Sequence, residues 1–311
     1  MRRDEMRGLL LAAGAVGFLS TSPVLAIWAD PLSPFVKTGG RLAVAAVILG
    51  AAVGAGQARR LGAGDADAAT AATPTAAEGI APRTRGATLV RFVGYGLIAA
   101  LHFLAYIASL SYTSPAHSLT LVYTAPIFVA LFAAGMLGEP IRRRQWIGML
   151  ITVAGVAVLA NPLAGLADRP LWWLGDGLAL VSAVTFGLYS VAGRYERRRT
   201  PLFRYAAGVY GAAALWLLPG VVWNWPAPGG PAVSASAWLA VVALGVFPLA
   251  LGHTLYNASL RHLHAATVNL IAAQEVTGGV LLSWWLLGIA PTGGEVLGAA
   301  ITLAGILIVL F

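Results

Sequence analysis

The sequence resembles itself at a fixed offset of 150 residues. Tyr106-Ile-Ala-Ser-Leu110 recurs as Tyr256-Asn-Ala-Ser-Leu260, and Ile151-Thr-Val-Ala-Gly155 recurs as Ile301-Thr-Leu-Ala-Gly305. The correspondence continues without a gap from about residue 92 to the end of the chain. A repeat of this length restricts the fold, because two similar sequences form two similar structural units. Both copies are apolar, so we expect two related sets of hydrophobic helices.

The composition places these helices in a membrane. Of the 311 residues, 59% are hydrophobic and 10% are charged, and the mean hydropathy is +0.79. A soluble domain of this size cannot bury so much apolar surface, so we expect a lipid bilayer around it. The formal net charge of +8 could suggest nucleic acid, but arginines that flank membrane helices explain it, and we expect no nucleic acid partner. The chain has no cysteine, which excludes disulfides and thiolate chemistry.

Ten segments are long and apolar enough to cross a membrane, which takes roughly 20 residues each. These predicted spans are 8–29, 35–56, 90–111, 116–137, 145–161, 173–193, 204–223, 237–258, 265–287 and 294–311. An odd number of spans separates the two copies, so the copies must have opposite orientations, as in many secondary transporters. We therefore predict an all-α integral membrane protein with ten transmembrane helices. The protein would consist of two inverted five-helix repeats, residues 1–161 and residues 162–311.

Positive charges predict the orientation of these spans. Arginines cluster before the first span and after the even-numbered spans: Arg2, Arg3, Arg7, Arg59, Arg60, Arg83, Arg85, Arg91, Arg142, Arg143, Arg144, Arg194, Arg197, Arg198, Arg199, Arg204 and Arg261. The opposite loops carry only Lys37 and Arg169, so both termini should be cytoplasmic. The connection 57–88 has no aromatic residue and is predicted to be a flexible cytoplasmic loop. An alternative, cleavage of a signal peptide after Ala26, would leave nine helices and break the symmetry.

Several short motifs carry a family resemblance. They include Thr124-Ala-Pro126-Ile and Leu137-Gly-Glu-Pro140 in the first copy, and Leu286-Leu-Gly288 in the second. With the topology and the repeat, these motifs resemble the drug/metabolite transporter superfamily, specifically its EamA-type members with ten helices. The resemblance implies export of small metabolites, often amino acids or lipophilic cations, across the bacterial cytoplasmic (inner) membrane. In the second copy Val276 takes the place of Pro126, so the sequence leaves open whether the ninth span bends as the fourth does.

Glu275 is the first candidate for chemistry inside the membrane. It lies near the middle of the ninth span, where a charged side chain costs about 3 kcal/mol on insertion scales. Such a residue usually faces a cavity or a partner, so we predict that Glu275 couples transport to protons. The alternative is a protonated carboxyl group that only forms a hydrogen bond to a neighbouring helix.

Polar and aromatic side chains on several spans predict a central substrate cavity. His102 and Tyr106 are four residues apart and share one face of the third span. Tyr106 and Tyr256 are equivalent in the repeat and should lie on opposite walls of one space. The complete predicted lining is His102, Tyr106, Tyr123, Tyr189, His253, Tyr256 and Asn257. The alternative for each residue is a hydrogen bond between helices, without contact to substrate.

Prolines and an arginine within the spans are further candidates. Pro23, Pro126 and Pro248 each remove a backbone donor from a span, and we predict hinges there, with static kinks as the alternative. Arg41 lies in the outer third of the second span. We expect its side chain to extend to the outer membrane surface, and binding of an anionic substrate is the alternative.

The absence of several motifs narrows the function. The only lysine, Lys37, follows Val36, so the chain lacks a Walker A motif, and it also lacks the common zinc and serine hydrolase motifs. We expect no enzyme activity, no cofactor and no bound metal. The sequence favours a secondary exporter of amino acids or related amphipathic compounds that works by alternating access. The alternative is a polytopic membrane enzyme acting on a lipid-linked substrate. The substrate, the coupling ion and the oligomeric state stay open, with a monomer expected.

Overall fold

The computed structural model describes residues 3–62, 85–113, 115–160, 170–197, 199–227, 232–287 and 290–310, and all regular structure within them is helical. The first helices are α1 (Arg3–Leu19), α2 (Ser22–Trp28), α3 (Pro34–Gly62), α4 (Arg85–Ser109), α5 (Pro115–Val122), α6 (Ala125–Leu137) and α7 (Arg143–Ala160). The remaining ones are α8 (Trp172–Arg197), α9 (Leu202–Trp223), α10 (Ala235–Leu244), the π-helix π1 (Gly245–His253), α11 (Thr254–Ser259), α12 (Ala265–Ala272), α13 (Glu275–Leu287) and α14 (Gly293–Leu310).

Nine stretches within the described residues are long and apolar enough to cross a membrane, and each corresponds to one predicted span. The fifth predicted span, 145–161, forms helix α7 but is not among these nine, so the number ten stays a prediction. The predicted loop 57–88 is wrong at both ends. Helix α3 continues to Gly62, and α4 begins at Arg85. Residues 63–84 lie outside the described part.

Three of the predicted spans are interrupted and consist of two helices each. The interruptions fall at residues 20–21, 123–124 and 273–274. In the first two, Pro23 and Pro126 stand at the start of the following helix, where a missing N–H group leaves no hydrogen bond unmade. The third interruption has no proline. The ninth span is thus interrupted like the fourth, even though Val276 stands at the position equivalent to Pro126. Pro248 lies within π1, whose wider turn accommodates the lost backbone donor.

The helices follow the sequence repeat closely. The bounds of α5, α6 and α7 coincide with those of α12, α13 and α14 after a shift of 150 residues. Helices α7 and α14 pack against each other, with Gly155 against Thr302 and Thr152 against Gly305. As the residue number rises along α7 it falls along α14, so these two equivalent helices are antiparallel.

The outer surface of the bundle is apolar and carries tryptophans near helix ends. Trp28, Trp223 and Trp285 are exposed by 55%, 89% and 79%, at or near the C-terminal ends of α2, α9 and α13. Indole rings in such positions suit the interface between lipid and water. The interior contains fully buried tyrosines instead, among them Tyr189, Tyr210 and Tyr256. The interior of the bundle therefore contains polar as well as apolar side chains.

Candidate functional site

A small cavity lies where the three interrupted spans meet. Its volume is about 30 Å³, enough for about two water molecules. The lining residues are Leu19, Ser22, Arg41, His102, Phe103, Tyr106, Leu119, Val122, Tyr123, Phe186, Pro248, Leu249, His253, Ala272 and Glu275. The wall thus combines one guanidinium group, one carboxyl group, two imidazoles and two phenol groups with apolar side chains. Within the described residues, no three His, Asp or Glu side chains are grouped to hold a metal ion.

Glu275 connects two of the interruptions. It is the first residue of α13, and its Oε2 atom accepts a 2.6 Å hydrogen bond from the Tyr123 hydroxyl group. Tyr123 lies in the turn between α5 and α6, which is the repeat-equivalent of the turn before Glu275. The helix dipole of α13 favours a negative group at its start. The carboxyl group predicted for proton coupling therefore lies in the cavity wall.

Both histidines of the cavity are surrounded by aromatic rings. His102 Nδ1 lies 3.0 Å from the Ser182 carbonyl oxygen, and its ring stacks on Phe186 with 4.4 Å between the centroids. His253 approaches Phe103 edge-on at 4.9 Å. The Nδ1 atom of His253 is buried and has no hydrogen-bond partner in the described part of the chain. This arrangement suits a ligand with an apolar or aromatic portion.

Tyr189, Tyr256 and Asn257 lie next to the cavity and not in its wall. Asn257 Nδ2 donates to the Tyr189 hydroxyl oxygen at 2.6 Å, and the Tyr256 hydroxyl forms a 2.6 Å hydrogen bond with Ser190 Oγ. Tyr106 and Tyr256, predicted to face one space, therefore have different surroundings. The Tyr106 hydroxyl is buried at the cavity and has no partner within the described residues, whereas Tyr256 belongs to a hydrogen-bond network.

Arg41 is the cavity residue that the sequence analysis placed elsewhere. Its predicted extension to the outer surface is wrong in the structure, because only 3% of the residue is exposed and it lines the cavity. The guanidinium carbon lies 4.8 Å from the centroid of the Phe103 ring, in the geometry of a cation–π interaction. An arginine inside an apolar span is compatible with a side chain at the outer surface and with one in the interior, so the sequence did not distinguish the two.

A second polar cluster lies at the arginine-rich end of the bundle. Arg194 Nε donates to Glu139 Oε1 at 3.0 Å, and His264 Nδ1 lies 3.2 Å from Glu139 Oε2. Arg194 also donates from Nη1 to the Leu260 carbonyl oxygen at 2.6 Å. The cluster joins the loop after α6 to α8 and to the turn after α11. The side chain of Glu139 is only 11% exposed.

The charge of Glu139 should stabilise the fold above acidic pH. Burial raises the pKa of its carboxyl group, but the hydrogen bond with His264 and the ion pair with Arg194 outweigh burial and hold that pKa below its usual value. The stabilisation is therefore present above the unfolded-state pKa and is lost as the pH falls through the lower folded-state pKa. We expect Glu139→Gln to lower the melting temperature in detergent by a few degrees at pH 7, with the difference shrinking below about pH 4.

A double-mutant comparison checks that the effect belongs to this cluster. Arg194→Gln should lower the melting temperature similarly, and the double variant should lose less than the two single losses combined. Strictly additive losses would contradict a direct interaction between Glu139 and Arg194.

Comparison with known proteins adds the family context. Residues 6–161 and 173–311 match the EamA-like transporter family. The aromatic amino acid exporter YddG of Ancylobacter novellus is 29% identical over 219 residues, which are 68% of this chain and 72% of that protein. The pseudopaline exporter CntI of Pseudomonas aeruginosa is 28% identical over 191 residues, covering 61% and 63% of the two chains. A crystal structure with 23% sequence identity shares the fold over 98% of both chains, with a TM-score of 0.75.

Proposed function

The chain belongs to the EamA-like transporter family, and from this premise we propose that it exports amino acids or related amphipathic compounds. It is a multi-pass protein of the bacterial inner membrane. Its relatives include the aromatic amino acid exporter YddG and a probable terminal-alkyne amino-acid exporter of Streptantibioticus cattleyicolor, which is 28% identical over 199 residues, 61% of this chain and 62% of that protein. These names support an amino acid substrate for this chain.

The central cavity is the observation that carries this proposal. An amino acid has a carboxylate, an ammonium group and a side chain, and the cavity wall has chemistry for all three. Arg41 offers a positive group, Glu275 a negative group, and Phe103 and Phe186 an aromatic surface. All of these side chains come from one chain, so a monomer contains a complete site.

Transport in this proposal proceeds by alternating access between two inverted halves. The antiparallel packing of α7 and α14 and the matching bounds of the repeat-equivalent helices support the inversion. The cavity holds only about two water molecules, so an amino acid enters only when the helices around the interruptions move apart. The turns before Pro23 and Pro126 and the π-helix around Pro248 supply hinges. The Glu139 cluster opens when the cavity faces the cytoplasm, and a proton gradient acting through Glu275 drives accumulation.

Transport by reconstituted proteoliposomes tests this function. We expect uptake of labelled aromatic amino acids, and we expect Tyr106→Phe to reduce it several-fold without lowering the melting temperature. The Tyr106 hydroxyl forms no hydrogen bond with the described protein and is free to contact substrate. Tyr256→Phe is the matched variant at the equivalent repeat position. It removes the hydrogen bond with Ser190 and should lower the melting temperature.

Two results would contradict the proposal. Proteoliposomes that take up no member of a panel of amino acids, with or without a pH gradient, would exclude the transport of this class. Unchanged transport by Tyr106→Phe together with a lowered melting temperature would give Tyr106 a structural role only.

A further inference from the structure

Arg41 carries an unused hydrogen-bonding edge inside the protein. Its Nε and Nη2 atoms are buried, and neither has a hydrogen-bond partner in the part of the chain that the structure describes. These two nitrogen atoms direct their N–H bonds along the same side of the planar guanidinium group. The free edge is therefore the edge that binds a carboxylate with two parallel hydrogen bonds.

The protein itself does not supply the missing acceptor. Glu275 shares the cavity with Arg41 but does not form an ion pair with it within 4 Å, and its Oε2 atom already accepts the hydrogen bond from Tyr123. The Phe103 ring covers one face of the guanidinium group and leaves its edge free. A buried positive group without an acceptor destabilises a protein. We therefore expect Arg41 to serve ligand binding and not the stability of the fold.

A second buried positive residue on the same helix, Lys37, differs from Arg41 in having a partner within the protein. Lys37 lies one turn before Arg41 on α3 and is also buried, but it forms an ion pair with Asp30. Lys37 is satisfied within the protein and does not line the cavity. Of these two buried positive residues on α3, only Arg41 faces the cavity with free donors.

We propose that Arg41 is the carboxylate-binding residue of the cavity, so that transported compounds must carry a carboxylate group. This inference rests on the proposed export function and specifies its substrate class. In a wider form of the cavity, the two carboxylate oxygens accept hydrogen bonds from Nε and Nη2 of Arg41. The remainder of the compound then lies against Phe186 and the histidines. Compounds with an amine but no carboxylate lose these two charge-assisted bonds.

Isothermal titration of the purified full-length protein with three probes tests the inference. L-phenylalanine carries both charged groups, 3-phenylpropanoate lacks the amine, and phenethylamine lacks the carboxylate. We expect wild type to bind both carboxylates more tightly than phenethylamine. Arg41→Gln should weaken the two carboxylates by about 10-fold or more and leave phenethylamine unchanged. Lys37→Gln is the matched control and should bind all three probes like wild type.

The stability of the variants separates ligand binding from a structural role. Because Arg41→Gln removes a buried charge without an acceptor, its melting temperature without ligand should equal or exceed that of wild type. If Arg41→Gln does not fold, Arg41→Lys keeps the charge, loses the two-donor edge and should show the same selective loss of carboxylate binding.

The outcomes distinguish this inference from the proposed function. Binding of 3-phenylpropanoate through Arg41 without binding of L-phenylalanine would uphold the carboxylate site and contradict amino acid export. Unchanged carboxylate affinity in the Arg41 variants, or an equal loss for phenethylamine, would overturn the role of Arg41 while leaving amino acid export intact. If wild type binds neither L-phenylalanine nor 3-phenylpropanoate, the proposed role of Arg41 is also overturned.

Discussion

Replacing Glu275 with glutamine is expected to abolish the accumulation of amino acid driven by a pH gradient. The amide keeps the shape of the side chain and can still accept the hydrogen bond from Tyr123, but it cannot take up and release a proton. Substrate exchange should persist because it needs no net proton movement, although the substrate binds more weakly once its ammonium group loses the negative partner. Uptake by proteoliposomes, measured with an imposed pH gradient and separately as counterflow without one, gives the two readouts.

Glu295→Gln provides the matched control for this experiment. Glu295 lies at the start of α14, is partly buried, and accepts hydrogen bonds from Thr292 instead of lining the cavity. Its replacement should leave gradient-driven accumulation unchanged. If Glu275→Gln still accumulates substrate with the pH dependence of wild type, the carboxyl group has a packing role. His102 and His253 would then be the next residues of the cavity wall to test for proton coupling.

Replacing Gly155 with alanine should destabilise the folded protein strongly. A Cβ atom at this position would overlap with the backbone nitrogen of Thr302 on the antiparallel helix α14. Backbone atoms cannot move aside as a flexible side chain can, so the two helices must separate, at a cost of about 1–3 kcal/mol. We expect a melting temperature lower by several degrees and less monodisperse protein in detergent, measured by thermal unfolding and size-exclusion chromatography.

Substitutions of two further glycines provide a comparison for this loss of stability. Gly305→Ala at the equivalent repeat position should be similarly harmful, because its Cβ atom would overlap with Thr152. Gly177→Ala on α8 should be neutral or slightly stabilising, because nothing lies within 4 Å of the added atom and alanine favours a helix more than glycine does. Equal tolerance of all three substitutions would show that α7 and α14 do not pack this closely.

The positions of the helices could be predicted from the sequence more readily than their interruptions. Apolar length determines where a span lies, and the predicted span 204–223 differs from Leu202–Trp223 by two residues at its start. The interruption at Pro126 agrees with the predicted hinge position. The interruption before Glu275 has no proline to mark it, and the π-helix around Pro248 depends on how neighbouring helices satisfy the freed carbonyl groups.

The orientation of side chains around each helix was the less predictable part of the site. In a membrane, the lipid-facing and the interior faces of a helix are both apolar, so hydrophobic periodicity does not show which face is buried. His102 and Tyr106 could be placed because two polar residues share a face, and both line the cavity. Arg41 stood alone in its span, and only its packing against Phe103 and the surrounding helices places it inside.

The seam between α7 and α14 has the symmetry of an isologous dimer interface. Each contact has a counterpart in which the two partners exchange roles: Gly155 meets Thr302, and Gly305 meets Thr152. In oligomers, such a self-complementary surface belongs to two identical subunits related by a twofold axis. In this protein both sides belong to one polypeptide chain, so each copy of α7 always has one copy of α14 as its partner. A substitution that enlarges one helix therefore needs a compensating change on the other helix, and the two copies are constrained to change in pairs along this seam.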